Sequence, residues 1–223
     1  MPILQDSQTQ QTGSRLRSTD MKKYKVFFEI EGAHAMFTRP DTGSSFVSYP
    51  APTFSAAKGM FESIARVKSA YIKPVKVEIC RPIQYEKYAT NYGGPLRKAN
   101  QIAKKASYQH MAMILTNVCY RIYGEILLCG REPEGVNSRH ALQEIFNRRR
   151  DKGQCWHTPC LGWKEFVPLY FGPKRPETKV ETSINEVIPS MLVSPFDAPV
   201  NGSQASIYVQ NVKIENGVLR YDQ

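Results

Sequence analysis

The sequence predicts an α+β fold with the element order β-α-β-β-α-β, in which a four-stranded antiparallel sheet carries two helices on one face. Three observations predict it. Three β-rich stretches, at 24–30, 71–83 and 108–128, are separated by polar or proline-containing segments. Two stretches with apolar residues at helical spacing follow the first and the third of them. A further β-rich stretch at 166–170 closes the set.

Each element has its own signal. The first strand reads Tyr-Lys-Val-Phe-Phe-Glu-Ile, and residues 31–52 then carry Gly32, Pro40, Gly43, Pro50 and Pro52, which excludes a continuous helix and predicts a long connection. Thr53 caps the first helix, where Phe54, Ala57, Phe61 and Ile64 share one face and Lys58, Arg66 and Lys68 fall mostly off it. In the second strand Val75, Val77 and Ile79 alternate with Lys76, Glu78 and Cys80, and Pro82 ends it. Residues 85–105 combine aromatics and cations with no core period, which predicts a surface loop or a hairpin. The stretch 108–128 is long enough for an extended strand, bent at Gly124. Asn137 or Ser138 caps the second helix; Leu142, Ile145 and Phe146 form its apolar face, and Arg148, Arg149 and Arg150 sit in its last turn, where cations complement the helix dipole. Residues 205–221 alternate on both sides of Glu215-Asn216-Gly217, and Asn-Gly between β-rich runs predicts a hairpin. This order is the ferredoxin-like (RRM-like) arrangement, shared by RNA-recognition domains and by many unrelated proteins. The expected organisation is a disordered leader at 1–20, rich in Gln, Ser and Thr, with Met21-Lys22-Lys23 resembling a start; a ferredoxin-like domain at 21–172; and a small C-terminal β extension, a hairpin or sheet, at 173–223.

Composition narrows the partners. The 223 residues are 41% hydrophobic, enough for one substantial core, and the formal net charge of +10 calls for a polyanion. Charge alone does not separate RNA from DNA or a membrane surface. No apolar run reaches the roughly 20 residues that span a bilayer, and residues 1–20 lack the apolar centre of a secretory signal. The five cysteines, an odd number without a framework spacing, fit a reducing cytoplasm. Cys155, His157 and Cys160 lie close in sequence, but a zinc site needs a fourth ligand and no Cys-x-x-Cys pair supplies one, so the expectation is no metal and no cofactor.

Specific segments carry a resemblance. Residues 32–40 (Gly-Ala-His-Ala-Met-Phe-Thr-Arg-Pro), Ser48-Tyr49 and residues 52–64 are followed by Arg81-Pro82-Ile83, Tyr92-Gly93-Gly94 and residues 160–166 (Cys-Leu-Gly-Trp-Lys-Glu-Phe). As an ordered set over most of 24–172, they resemble CRISPR-associated protein family five, most of all its Dvulg subtype of type I-C systems. The resemblance implies the ferredoxin-like fold, binding of the repeat-derived 5′ handle of a guide RNA, and association with other subunits of a type I surveillance complex. It also implies metal-independent cleavage of the precursor, in which a ribose 2′-hydroxyl attacks the neighbouring phosphate and leaves a cyclic phosphate and a 5′-hydroxyl. The alternative is a non-catalytic subunit that only holds the handle. A third class, a generic basic module binding DNA or another protein, has the charge in its favour but not the ordered segments.

Such cleavage needs a base, an acid and cations for the phosphate. The family places a Lys-His pair at the start of the second helix, and here that position reads Arg139-His140. His140 is the expected base. Arg139 keeps the charge and offers a fork for phosphate oxygens, but does not readily exchange a proton. A helix start also presents N–H groups to an anion. Active relatives carry Tyr or His after the segment matching Glu62-Ser63-Ile64, where this chain has Ala65. Tyr71 and Tyr49 are candidate replacements, with His110 and His34 behind them as strand and loop histidines. For RNA gripping, Tyr92, Arg97, Lys98, Lys104 and Lys105 combine stacking and phosphate-tracking groups, and Arg39, Lys58, Arg148 and Arg149 are further phosphate contacts. A solvated basic loop and helix-end charge pairing are the structural alternatives for these cations.

Overall fold

The computed structural model describes residues 24–43, 45–92, 98–104, 108–130, 132, 134–194 and 206–222. Residues 1–20, Arg97 and Lys105 therefore lie outside the described residues. The strands are β1 (Lys25–Ala35), β2 (Phe46–Val47), β3 (Ala70–Ile79), β4 (Tyr85–Tyr92), β5 (Tyr108–Leu128), β6 (Tyr170–Gly172), β7 (Glu186–Ser194), β8 (Ile207–Glu215) and β9 (Val218–Arg220). The helices are α1 (Phe54–Ile64), α2 (Ala99–Ala103) and α3 (Ser138–Asp151).

The expected α+β arrangement is present. The sheet runs β6-β1-β5-β3, each neighbour antiparallel, with α1 and α3 supplying the crossovers. The helices cover one face, because Val26, Phe28 and Ile30 alternate inward and Phe28 meets Phe61 of α1 and Phe146 of α3. Ring centroids lie 5.0 Å apart for Phe28–Phe61, 6.2 Å for Phe28–Phe146 and 5.6 Å for Phe61–Phe146. Gly124 permits this approach: a Cβ there would sit 2.5 Å from Ile72 and 2.9 Å from Phe61. The irregularity expected in β5 is carried by its partner, since β3 shifts register between Pro74 and Lys76, opposite Gly124.

Three differences from expectation have physical causes, and one alternative that the sequence left open is decided. β1 continues through the predicted connection to Ala35, because Gly32 lets Leu161 pack directly on its backbone. The segment expected as a loop or hairpin is a hairpin, with β4 in register against β5 from Tyr85↔Leu115 to Tyr92↔Tyr108. The strand expected at 166–170 begins at Tyr170; before it, the Phe166 N–H bonds back to the Trp163 carbonyl in a turn and the two rings stack at 5.9 Å. The sheet is also larger than four strands. Asn216 and Gly217, both at positive φ (50° and 74°), form the β8–β9 turn, and β9 pairs with β3 so that β8 and β7 extend the sheet.

The face opposite the helices is not open, as it is in sheets that read RNA with surface aromatics. Residues 173–184 strap across it. Glu29, Arg121 and Glu78 form one row across β1, β5 and β3, and all three are buried. Arg121 Nε donates to Glu29 at 2.9 Å and its Nη2 donates to the Arg175 and Thr178 carbonyls. Arg175 Nε donates to Glu29 at 2.6 Å and Nη2 to Glu31, while Arg81 donates to Glu31 at 2.6 Å. Burial pushes the Glu29 carboxyl up, but hydrogen bonds from Arg121, Arg175 and Thr178 outweigh it and hold the group below its ordinary value. Glu31 is lowered in the same way. Depressed carboxyls stabilise the fold above their unfolded value and lose that contribution as pH falls through the folded one. The thermal midpoint is therefore expected to fall as pH drops below about 4.5. Glu29→Ala, which strands Arg121 without a partner, is expected to lose about 3–5 kcal/mol in urea denaturation at neutral pH and to flatten the acid limb; a midpoint unchanged by the variant would contradict this.

Candidate functional site

Two features meet at one end of the sheet, where β1 and β3 start, β5 ends and α3 begins. The first is a cleft of about 630 Å³ between the end of α1 and the start of β3. Lys58, Arg66, Lys68, Lys73 and Tyr71 line it, with Ala65 in its wall and Glu62 as the one carboxylate among its lining residues. Arg66, Lys68 and Lys73 are exposed, and Lys58 lies 5.8 Å over the Tyr71 ring. Four cations against one carboxylate make a positive cleft with an aromatic face in it, a shape and charge suited to a single-stranded polyanion.

The second feature is the start of α3. Asn137 caps it, its Oδ1 accepting the His140 N–H at 3.0 Å, and Glu132 accepts the Ser138 N–H at 2.6 Å. Two of the backbone donors expected to hold phosphate there, those of Ser138 and His140, are thus already engaged, one of them by a carboxylate, and the positive charge at this point comes from side chains. His140 is exposed. Its ring lies 6.5 Å from the ring of Tyr24, and the Arg139 guanidinium lies 5.2 Å over the same tyrosine. Arg139 Nε is buried with no hydrogen-bond partner among the described residues, an unsatisfied donor that invites an acceptor. Asn137 Nδ2 donates to the Tyr24 hydroxyl at 3.1 Å. The two features are joined by the Ser69–Ser138 hydrogen bond of 2.7 Å, since Ser69 lies between the lining residues Lys68 and Ala70, and Ser138 precedes Arg139.

The structure brings His140 and Arg139 together and puts Tyr71 and Lys58 in the adjoining cleft. It separates the rest. Tyr49 is corrected: it is 1% exposed, its hydroxyl accepts the Leu192 N–H at 3.2 Å, and burial raises its pKa, so it does not reach an external ligand. The bridge between Thr38 and Ser48 and the pairing of β2 with β5 fold that segment inward. Arg39 is held by Asp41 at 2.7 Å. Tyr92, Lys98, Lys104 and His110 belong to the β4–α2–β5 hairpin, at the other end of β5 from His140, and His34 pairs with Glu86 at 2.9 Å. Arg149 Nη1 donates to the Ile64 carbonyl at 2.8 Å, satisfying the end of α1, so this arginine has a framework role. Arg148 stays exposed beside it. Tyr24 had no place among the sequence candidates, because it reads as the opening residue of the first strand and belongs to no motif. Arg66 and Lys68 did carry a signal as cations off the predicted apolar face, although α1 ends at Ile64 and both follow it. Among the described residues no three His, Cys, Asp or Glu side chains are grouped to hold a metal ion, and no helix is long and apolar enough to cross a membrane.

Fold and site define a basic ferredoxin-like protein whose positive cleft lies beside a helix start rather than on the sheet face. The chain belongs to the CRISPR-associated Cas5 family, type I-C: the family's Cas5d model matches residues 26–190. It is 30% identical over 154 residues to the CRISPR pre-crRNA endoribonuclease Cas5d of Thermus thermophilus, covering 69% of this chain and 65% of that protein, so the match spans less than two thirds of the Thermus relative's length. It is 28% identical over 162 residues to the protein of the same name from Mannheimia succiniciproducens, covering 66% and 71%. A crystal structure of a CRISPR-associated protein superposes with a TM-score of 0.66 at 19% identity, covering 89% of this chain and 92% of the other, and shows the same fold.

The Asn137 side chain links the helix cap to Tyr24. Asn137→Ala is expected to lower stability by about 1 kcal/mol, read by urea denaturation, whereas Asn137→Asp, which keeps the capping oxygen, is expected to lose less.

Proposed function

We propose that this protein binds CRISPR repeat RNA, cuts the precursor within the repeat, and retains the 5′ handle as a subunit of a type I surveillance complex in the cytoplasm. The observation that carries the reading is His140, exposed beside an arginine with an unsatisfied donor and next to a positive cleft. The names of the two sequence relatives support it. In this reading the RNA strand lies in the cleft, with Lys58, Arg66, Lys68 and Lys73 against phosphates and Tyr71 against a base. The scissile phosphate lies at Arg139. His140 takes the 2′-proton, the 2′-oxygen bonds to phosphorus, and the bond to the 5′-oxygen breaks, giving a 2′,3′-cyclic phosphate and a 5′-hydroxyl. Arg139 offsets the charge that builds on the phosphoryl oxygens. The chemistry calls for no metal or cofactor. The second reading, a subunit that grips the handle without cutting, is favoured by Ala65: the cleft wall at that point is a methyl group, 2% exposed.

Purified full-length protein is expected to cut a repeat hairpin in EDTA and leave a cyclic phosphate, and His140→Ala to slow the cut by about 10²–10⁴-fold without losing RNA binding. Cutting by the variant at the wild-type rate would reject the assignment of His140, and binding by the wild type without any product would favour the second reading. Lys68→Ala with Lys73→Ala is expected to weaken binding and to lower the slope of log affinity against log salt by about 0.7 for each phosphate left without its lysine. An unchanged slope would move the strand out of the cleft.

A further inference from the structure

The cleavage reading gives the 2′-proton a destination and leaves the leaving group without a proton donor. An alkoxide departs slowly unless it is protonated as the P–O bond breaks. Arg139 holds its protons too tightly to serve. Tyr49 is sealed in the core, and Tyr71 stands in the cleft under Lys58. A proton-bearing side chain stands beside the imidazole: Tyr24, whose ring centroid is 6.5 Å from that of His140.

We propose that Tyr24 is a catalytic residue of this site and that its hydroxyl protonates the departing 5′-oxygen. The inference rests on the endonuclease reading and adds its missing acid. The local geometry suits the role. Asn137 Nδ2 donates to the Tyr24 oxygen at 3.1 Å, so the amide occupies a lone pair and the phenolic O–H has that contact as acceptor only, with its own hydrogen left for another oxygen. The same Asn137 holds the start of α3 through the His140 N–H at 3.0 Å, so one side chain sets the phenol and the histidine backbone in register. Arg139 lies 5.2 Å over the Tyr24 ring with its Nε unpartnered, which places a cation where negative charge forms on the phenol as well as on the phosphate. The step balances. The 2′-proton passes to the imidazole, the 2′-O–P bond forms and the P–5′-O bond breaks. The phenolic proton passes to the 5′-oxygen, and the imidazolium and phenolate return to their starting states by proton exchange through water.

The test is single-turnover cleavage of a repeat hairpin by full-length wild type and Tyr24→Phe, with two substrates: ordinary RNA, and RNA whose scissile 5′-oxygen is replaced by sulfur. A thiolate leaves without protonation, so an acid is needed only for the first. Tyr24→Phe is expected to cut ordinary RNA about 10²-fold more slowly or worse, to bind it as wild type does, and to cut the sulfur substrate at close to the wild-type rate. Equal cutting of ordinary RNA by both proteins would overturn the proposal. So would an equal loss on both substrates, which is what a tyrosine acting only through Asn137 and the helix cap would give. Wild-type protein that cuts neither substrate would instead overturn the endonuclease reading on which the proposal stands.

Discussion

The buried carboxylate of Glu29 is the constraint on which the rest of the architecture depends. A charge with no solvent exposure persists only when its partners surround it, and Glu29 takes them from two places. Arg121 comes from the neighbouring strand β5, while Arg175 and Thr178 come from the strap that follows β6. Arg121 in turn lies 3.9 Å from Glu78 of β3. The cluster is complete only when β1, β5 and β3 lie in the observed order and register and the strap is closed. It thus selects one strand arrangement against slipped alternatives, a role that an apolar patch of similar volume fills less specifically.

That strap determines where a polyanion can bind. With helices on one face of the central strands and residues 173–184 on the other, no broad face of the β1-β5-β3 core is left among the described residues. The end of the sheet and the outer edge of β3 near Ala70 remain, and there the cations Lys58, Arg66, Lys68 and Lys73 line the cleft. A ferredoxin-like sheet that reads RNA on its open face spends its aromatics there. Here that face carries an ion cluster instead, and the features for recognition move to the helix ends.

The helical side holds those features in place. Packing of Phe28, Phe61 and Phe146 fixes α1 against α3. Arg149 ties α3 to the last carbonyl of α1, and Arg150 Nη1 donates to the Phe27 carbonyl at 3.1 Å. The Ser69–Ser138 bond then joins the cleft to the start of α3. Two of the three clustered arginines therefore serve the framework, because backbone carbonyls at the end of α1 and in β1 lie within their reach.

Local pattern was enough for the core element order, the capped starts of α1 and α3, the long β5 and the Asn216-Gly217 turn, because each follows from residues within a few positions of one another. The sequence also marked Arg139 and His140 through motif order. Tertiary structure decided what those residues face. Tyr49 stands in a proline-rich connection with no period to reveal its burial, and it is enclosed only when β2 pairs with β5. Tyr24 and His140 are over a hundred positions apart and meet because antiparallel pairing of β1 with β5 brings the start of one to the end of the other. The covered sheet face was likewise beyond local pattern, since Glu29, Arg121 and Arg175 read as ordinary surface charges until three distant segments remove them from water together.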